Sequence, residues 1–180
     1  VQLINRKLRN VIFVDNYFEY IQADFVSIDN FQGAYRAGKF IVKKGYRKIG
    51  YVASNHAISN FLQRRSGFRK AMREANIQIP PEYVFSLNPT ELRGSLPALF
   101  RQKNNWPEAI FCEDDYMALR LLNALTRQGI KVPQDIAVMG FDDISEDTMV
   151  IPELTTIHVP ITQIVDQAIN QLQCKVADTD

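Results

Sequence analysis

The chain has 180 residues, 46% hydrophobic and 23% charged, which is enough to bury the core of one domain or slightly more. Its 21 Lys and Arg nearly balance 20 Asp and Glu, and the formal net charge of +1 excludes the strongly basic character needed to hold a DNA backbone. Cys112 and Cys174 lack the spacing of metal ligands, so we predict that both thiols are reduced, as in the cytosol, and that both residues pack in the core. No stretch approaches the roughly 18 consecutive apolar residues of a membrane span.

The chain opens on two short predicted strands. Residues 11–14 form an apolar run that ends at Asp15, so they predict a buried strand with a carboxylate at its carboxyl end. Residues 25–28 predict the second strand. Because the sequence starts without Met and reaches a strand within about ten residues, we expect it to be part of a longer protein.

Helices and strands then alternate through the middle of the chain. Asn30 is expected to cap the first helix and Gly45 to end it. Helices are predicted over about residues 30–44, 58–75, 91–102 and 115–128, and strands over residues 47–53, 83–85, 109–112 and 136–139. Such alternation with short connections predicts an α/β fold with a parallel, doubly wound, Rossmann-like sheet.

Two carboxylates follow the last predicted strand. Gly140 releases the backbone, and Asp142 and Asp143 come next, at the edge where ligands bind in open α/β sheets. Alternatively, both aspartates only cap a turn or a helix start. Asp15, the loop 54–60, the loop near Asn88, Asp114 and Asp142 all follow predicted strands, so they can converge on one crevice.

Pro160 is expected to begin a final helix with an apolar stripe at helical spacing. The stripe packs either inside the core, as is usual, or against further chain or a partner subunit. Its members are Ile161, Ile164, Val165, Ala168, Ile169 and Leu172.

The sequence lacks the GxSxG, GxxxxGK[ST], GxGxxG and HExxH signatures of common enzymes. Neither His56 nor His158 has an obvious Ser or Cys partner. Residues 113–115 with 142–143 can form an acidic Mg²⁺ pocket of a phosphotransfer enzyme, but no lysine follows strand 136–139 to stabilise phosphoryl charge. Acidic and amide side chains with an arginine also describe a site for a polyhydroxylated ligand. We therefore predict no catalytic residue, no metal and no cofactor.

Four motifs resemble one known family. VPQDIAVMGFDDI followed by PELTTI looks like the effector-binding core of the LacI/GalR family of bacterial transcription regulators. DFVSIDNFQGAYRAGKFIVKKGYRKIGYV, QRRSGFRKAM and FCEDDYMALRLLNALTRQGIKVP are similar to three further segments of that family, in the right order. The likeness extends from about Val11 to Leu172.

The resemblance implies a type I periplasmic-binding-protein-like domain, in which two subdomains enclose a small effector, commonly a sugar. It implies that residues 1–29 are a fragment of the first subdomain and the crossover, 30–156 the second subdomain, and 157–180 the return segment and helix of the first. It further implies a cytoplasmic homodimer without membrane contact. Operator DNA would be bound only by a helix-turn-helix that precedes Val1. A periplasmic-type sugar-binding transport protein shares the fold and is the alternative.

The resemblance also assigns effector-binding residues by position. Asp142 resembles the family's carboxylate that accepts from the ligand, and Arg64 the arginine that donates to it. Asp15 matches a polar position at the crossing between subdomains, and Asn60 a contact position before the arginine. Asp114 stands where the family often has Asn, and since an ionised carboxylate only accepts hydrogen bonds, this departure leaves the effector open. Asp115 is expected to be the helix cap.

Overall fold

The computed structural model describes residues 10–16, 21–87 and 105–177. The chain divides into two compact units, Val1–Asp29 with Val159–Asp180 and Asn30–His158, which we call the smaller and the larger unit. The predicted loop near Asn88 and the predicted helix over 91–102 lie outside the described residues. No helix in the described ranges is both long and apolar enough to cross a bilayer.

Helices and strands follow one another much as predicted. In chain order they are β1 (Ile12–Val14), β2 (Asp24–Val26), α1 (Asn30–Lys43), β3 (Ile49–Ser54), α2 (Ser59–Glu74), β4 (Val84–Leu87), β5 (Ala109–Cys112), α3 (Asp115–Arg127), β6 (Ala137–Met139) and α4 (Ile161–Ala177), with 3₁₀ turns at Pro81–Tyr83 and Ser145–Met149.

The larger unit is built on a four-stranded sheet of order β4-β3-β5-β6, with every pair parallel. All residues of β3 and β5 are buried, as expected of central strands covered on both faces. The predicted parallel, doubly wound α/β fold is therefore confirmed.

β3 starts two residues later than predicted. The N–H groups of Arg47 and Lys48 donate to the Glu108 carboxylate, at 2.7 and 3.0 Å, and not to a neighbouring strand.

One face of the sheet carries α1 and α2 on an aromatic cluster. Phe68 of α2 stacks on Phe111 of β5 with ring centroids 4.5 Å apart, and Tyr51 of β3 lies 5.3 Å from Phe68. The two helices pack closely because small residues meet between them, including Gly38 of α1 and Ala71 of α2. This close packing fixes the position of the α2 residues next to the sheet edge.

The other face of the sheet is covered by α3. Its Met117, Leu121 and Leu125 join Ile110 and Cys112 of β5 in one buried apolar cluster. The prediction that Cys112 packs in the core is confirmed. The same prediction for Cys174 is wrong, because this residue lies exposed on α4.

In the smaller unit, β1 and β2 pair in parallel and α4 packs on both. Of the six stripe residues on α4, Ile164 and Ala168 are buried, at 7% and 8% exposure. The other four are 38–65% exposed. Only part of the stripe therefore belongs to the core of this unit.

Candidate functional site

The carboxyl edge of the larger unit's sheet collects polar side chains around Arg64. Asn60 and Arg64 lie one turn apart on α2, and both are buried. Asp114 directly precedes α3, and Asp142 follows β6. Four of the five predicted effector-binding residues thus belong to one compact unit.

Arg64 is the centre of this site. Its Nε donates to Asn30 Oδ1, its Nη1 to the main-chain oxygen of Glu113, and its Nη2 pairs with Asp142 Oδ1, each at 2.8 Å. The guanidinium also lies 3.9 Å from the centroid of the Phe141 ring. With 5% of its side chain exposed, Arg64 is held in one orientation by groups from α1, from the residue after β5 and from the segment after β6.

Asp142 is fixed by its backbone as well as by Arg64. Its φ of 129° is rare for a residue with a side chain, and its N–H donates to Ile157 O at 2.9 Å. Burial raises the pKa of the Asp142 carboxyl to about 7, although the charge of Arg64 acts in the opposite direction. The contact of Asp142 with Arg64 is an ion pair and not the turn or helix cap of the alternative interpretation. Asp143 pairs with His158 Nδ1 at 2.7 Å.

The helix cap at the start of α3 is Asp114 and not the predicted Asp115. Asp114 is the N-cap, because its Oδ1 accepts from the N–H of Met117 at 2.6 Å. Asp115 is fully buried and accepts from Asp143 N at 2.6 Å and from Thr156 Oγ1 at 2.7 Å. The expectation that Asp115 caps the helix is wrong. This residue instead holds the segment after β6 in place.

Glu113 organises a hydrogen-bond network that the sequence did not predict. Its buried carboxylate accepts from Tyr51 Oη, from Ser54 N at 2.6 Å and from Arg65 Nε at 2.9 Å. Burial and the charge of Glu113 raise the pKa of the Tyr51 hydroxyl. Since the main-chain oxygen of Glu113 accepts from Arg64, this network also supports the site. The signal for this network in the sequence is the acidic run 113–115, which together with residues 142–143 also fits a metal pocket.

The geometry does not favour that Mg²⁺ pocket. Glu113 is occupied by Arg65, Asp115 by backbone and hydroxyl donors, and Asp142 by Arg64. Within residues 10–16, 21–87 and 105–177, no three His, Cys, Asp or Glu side chains are grouped so that they could hold a metal ion. These carboxylates serve as hydrogen-bond and ion-pair partners.

Asp15, the fifth predicted residue, belongs to the smaller unit. It directly follows β1 with φ 64°, and its N–H donates to Val26 O at 2.8 Å. The turn thus exposes the Asp15 side chain at the carboxyl end of a parallel strand pair. The position fits the strand-end prediction for this residue.

A further carboxyl, Asp147, lies buried in the 3₁₀ turn after β6. Its Oδ2 accepts from Ile144 N at 3.1 Å, whereas its buried Oδ1 has no hydrogen-bond partner in the described part of the chain. Burial and the neighbouring Asp115 carboxylate raise the pKa of Asp147 to about 7. Asp147 therefore keeps its proton to a higher pH in the folded protein than in the unfolded chain.

We expect this raised pKa to make stability depend on pH. Between about pH 4 and about pH 7 the folded state binds more protons at Asp147 than the unfolded state, so the free energy of unfolding falls as pH rises. Asp147→Asn removes this titration, and we expect a shallower pH profile and a higher melting temperature at pH 8. Thermal unfolding from pH 4 to 8 measures both, with the exposed substitution Glu153→Gln as the control. An unchanged slope in Asp147→Asn would contradict the expectation.

Comparison with known proteins places this geometry in a family. Residues 39–180 match the family model described as periplasmic binding protein-like domain. The HTH-type transcriptional repressor PurR of Mannheimia succiniciproducens is 34% identical over 159 residues, which cover 87% of this chain and 47% of that protein. PurR of Haemophilus influenzae is 35% identical with the same coverage. The chain thus spans about half the length of these relatives.

Solved structures agree with the sequence relatives. A transcription regulator from Lactobacillus plantarum is 25% identical with a TM-score of 0.82, and the match covers 93% of this chain and 63% of that one. A LacI-family regulatory protein from Chloroflexus aggregans is 21% identical with a TM-score of 0.83, covering 98% and 64%. The resemblance to the effector-binding part of LacI-type regulators is thereby confirmed, and the chain belongs to the periplasmic binding protein-like domain family.

Proposed function

We propose that this chain is the effector-binding and dimerisation part of a LacI-type transcriptional regulator, and that it senses a small hydroxyl-bearing molecule such as a sugar. The observation that carries the proposal is the Arg64 cluster at the carboxyl edge of the sheet. There a rigid guanidinium, an aromatic ring and a partly exposed carboxylate stand side by side. In this proposal the larger unit contacts the ligand through Asp142, Arg64, Asp114 and Asn60. The role of Asp15, which belongs to the smaller unit, is proposed from the family resemblance alone.

The cluster is suited to binding rather than to chemistry. Arg64 is held by three acceptors and cannot swing, so a ligand meets a preorganised surface and little side-chain freedom is lost on binding. Asp142 leaves 30% of its side chain exposed and can accept hydrogen bonds from ligand hydroxyls. Binding at such a site requires no proton transfer and no cofactor.

The remaining parts of the proposal concern the whole protein. In the proposed regulator, operator DNA is bound by a helix-turn-helix outside this chain, because a net charge of +1 supplies no extended basic surface. The protein acts in the cytoplasm, where its operator is. The PurR relatives favour a regulator over the solute-binding transport protein that shares the fold.

A homodimer is supported by an exposed apolar surface beside α3. Met149 is 76% exposed and Ile151 fully exposed, and both line a groove that also contains Leu119, Leu122 and Val132. Monomeric proteins rarely leave large contiguous apolar patches in water. We propose that this surface packs against a second copy of the chain.

The proposal is tested with Asp142→Asn in the full-length protein. A thermal-shift panel of sugars, sugar phosphates and nucleobases identifies a compound that stabilises the folded state. We expect Asp142→Asn to lower the affinity of the protein for that compound by at least about tenfold, because a charged acceptor is replaced by a neutral one. Operator binding without effector should be retained. The exposed substitution Asp166→Asn is the matched control. Equal loss of operator binding and effector response would mark Asp142 as structural.

A further inference from the structure

We infer that the outer surface of α1 and α2 is a docking site for an acidic segment of another protein. This surface lies on the solvent side of the two helices, whereas Arg64 is buried on the side of α2 that faces the sheet edge. The inference therefore goes beyond the proposed effector binding and is tested independently of it.

The charges of the chain are unevenly distributed. Residues 30–75, which contain α1, β3 and α2, hold eleven of the 21 Lys and Arg but only one of the 20 Asp and Glu. The rest of the larger unit, residues 76–158, holds six Lys and Arg against twelve Asp and Glu. A chain with a formal net charge of only +1 thus carries a compact and strongly cationic region.

Six of these cations are exposed on the two helices, and we call them the cationic surface. Lys39 of α1 and Lys70 of α2 both pair with Glu74, at 3.7 and 3.8 Å, which joins the exposed sides of the two helices. At 1.5 Å per residue, the surface extends about 10 Å along α1. Its members are Arg36, Lys39 and Lys43 on α1, and Arg69, Lys70 and Arg73 on α2.

The centre of the cationic surface is ordered by the single acid and by aromatic rings. The Tyr35 hydroxyl donates to Glu74 Oε2 at 2.7 Å, and Lys70 Nζ lies 5.6 Å from the centroid of the Tyr35 ring and 6.0 Å from that of Phe31. Tyrosine and arginine are enriched where proteins bind one another. The surface therefore combines fixed aromatic groups with charge.

The four cations around this centre have no acidic partner in the part of the chain that the structure describes. Lys43 and Arg73 lie in the last turns of their helices, where a cation also complements the helix dipole. Arg36 and Arg69 lie before the last turn, so the dipole does not account for them. Their charges are available to an anionic partner.

The size and surroundings of the cationic surface favour an acidic protein segment over nucleic acid. A DNA duplex carries one negative charge per about 1.7 Å and continues beyond a surface of about 10 Å, so it would also meet the acid-rich remainder of the unit. A short segment rich in Asp and Glu can remain on the two helices. Complementary charge then selects this partner and speeds its association.

The experiment measures the binding of fluorescein-labelled deca-glutamate to the full-length protein by anisotropy, with deca-glutamine as the neutral probe. Arg36→Gln combined with Arg69→Gln removes two unpaired cations of the surface. Arg127→Gln combined with Lys131→Gln removes two exposed cations elsewhere on the unit and has the same net charge. We expect the first pair to lower the affinity for deca-glutamate about fivefold and the second to leave it within about twofold.

The same proteins are titrated with a DNA duplex that lacks the operator, and we expect the two double variants to bind it equally. If deca-glutamate does not bind the unaltered protein, or binds both double variants equally, the inference is wrong. A greater loss of duplex affinity in the Arg36 and Arg69 variant would also overturn it and would identify nucleic acid as the partner. Thermal shifts with the effector panel should be the same in this variant as in the unaltered protein, which separates this test from that of the proposed function.

Discussion

Replacing Arg64 with methionine is expected to lower the free energy of unfolding by about 3–5 kcal/mol, as is typical when one partner of a buried ion pair is removed. Methionine fills much of the same space between α2 and Phe141, so the loss is mainly polar. It removes the hydrogen bonds that Arg64 donates to the Asn30 amide oxygen and to the Glu113 carbonyl, and it removes the countercharge of Asp142. Urea unfolding followed by the fluorescence of Trp106, the single tryptophan of the chain, measures the change.

Two further variants separate charge from packing. Arg69→Met makes the same substitution at an exposed position of α2 and is expected to change stability by less than about 0.5 kcal/mol. The double variant Arg64→Met with Asp142→Leu removes both charges, and we expect it to recover part of the lost stability, since the uncompensated carboxylate is gone. If the double variant is as unstable as the sum of the single variants, Arg64 stabilises the fold through packing alone.

The fold was predictable because each strand is short, apolar and bounded by polar residues. The apolar runs 109–112 and 136–139 predict strands that are buried on both faces. In a chain where strands and helices alternate with short connections, a parallel sheet with helices on both sides buries such strands. The strand-end rule then indicated where Asp114 and Asp142 lie. The ends of the strands were harder to predict. At the start of β3, for example, two backbone N–H groups donate to the Glu108 carboxylate, and the alternation of strands and helices does not reveal this contact.

Side-chain partners far apart in the sequence were harder to predict. Tyr51, Arg65 and Glu113 meet because β3 and β5 are neighbours, although Tyr51 and Glu113 are 62 positions apart. The roles of adjacent acidic residues are equally hard to predict. If α3 began one residue later, Asp115 would cap the helix in place of Asp114. Asp114 and Asp115 show this directly, because the dihedral angles at the helix start, not the residue type, decide which one caps.

Gly67 and Phe68, which follow Arg64 in the segment QRRSGFRKAM, have structural roles that the sequence pattern alone does not explain. Phe68 stacks on Phe111 and so sets how deep α2 sits on the sheet. Gly67 lies against the backbone of Phe31, the residue after Asn30, where a Cβ would approach Phe31 O to 2.0 Å. The glycine therefore permits the close approach of α1 and α2 that brings Asn30 to Arg64.

Gly67→Ala accordingly tests whether this helix contact holds the site together. In an exposed helix, alanine is more favourable than glycine by about 1 kcal/mol, so propensity alone predicts stabilisation. Here the new Cβ meets backbone that cannot rotate away, and we expect a net destabilisation of about 2–3 kcal/mol. Because the helices must separate, the bond from Arg64 Nε to Asn30 should lengthen and effector affinity should fall in the full-length protein. Ser66→Ala, at an exposed neighbouring position of α2, is the control and is expected to be neutral or slightly stabilising. A stabilised Gly67→Ala with unchanged effector affinity would show that α1 and α2 can move apart without disturbing Arg64.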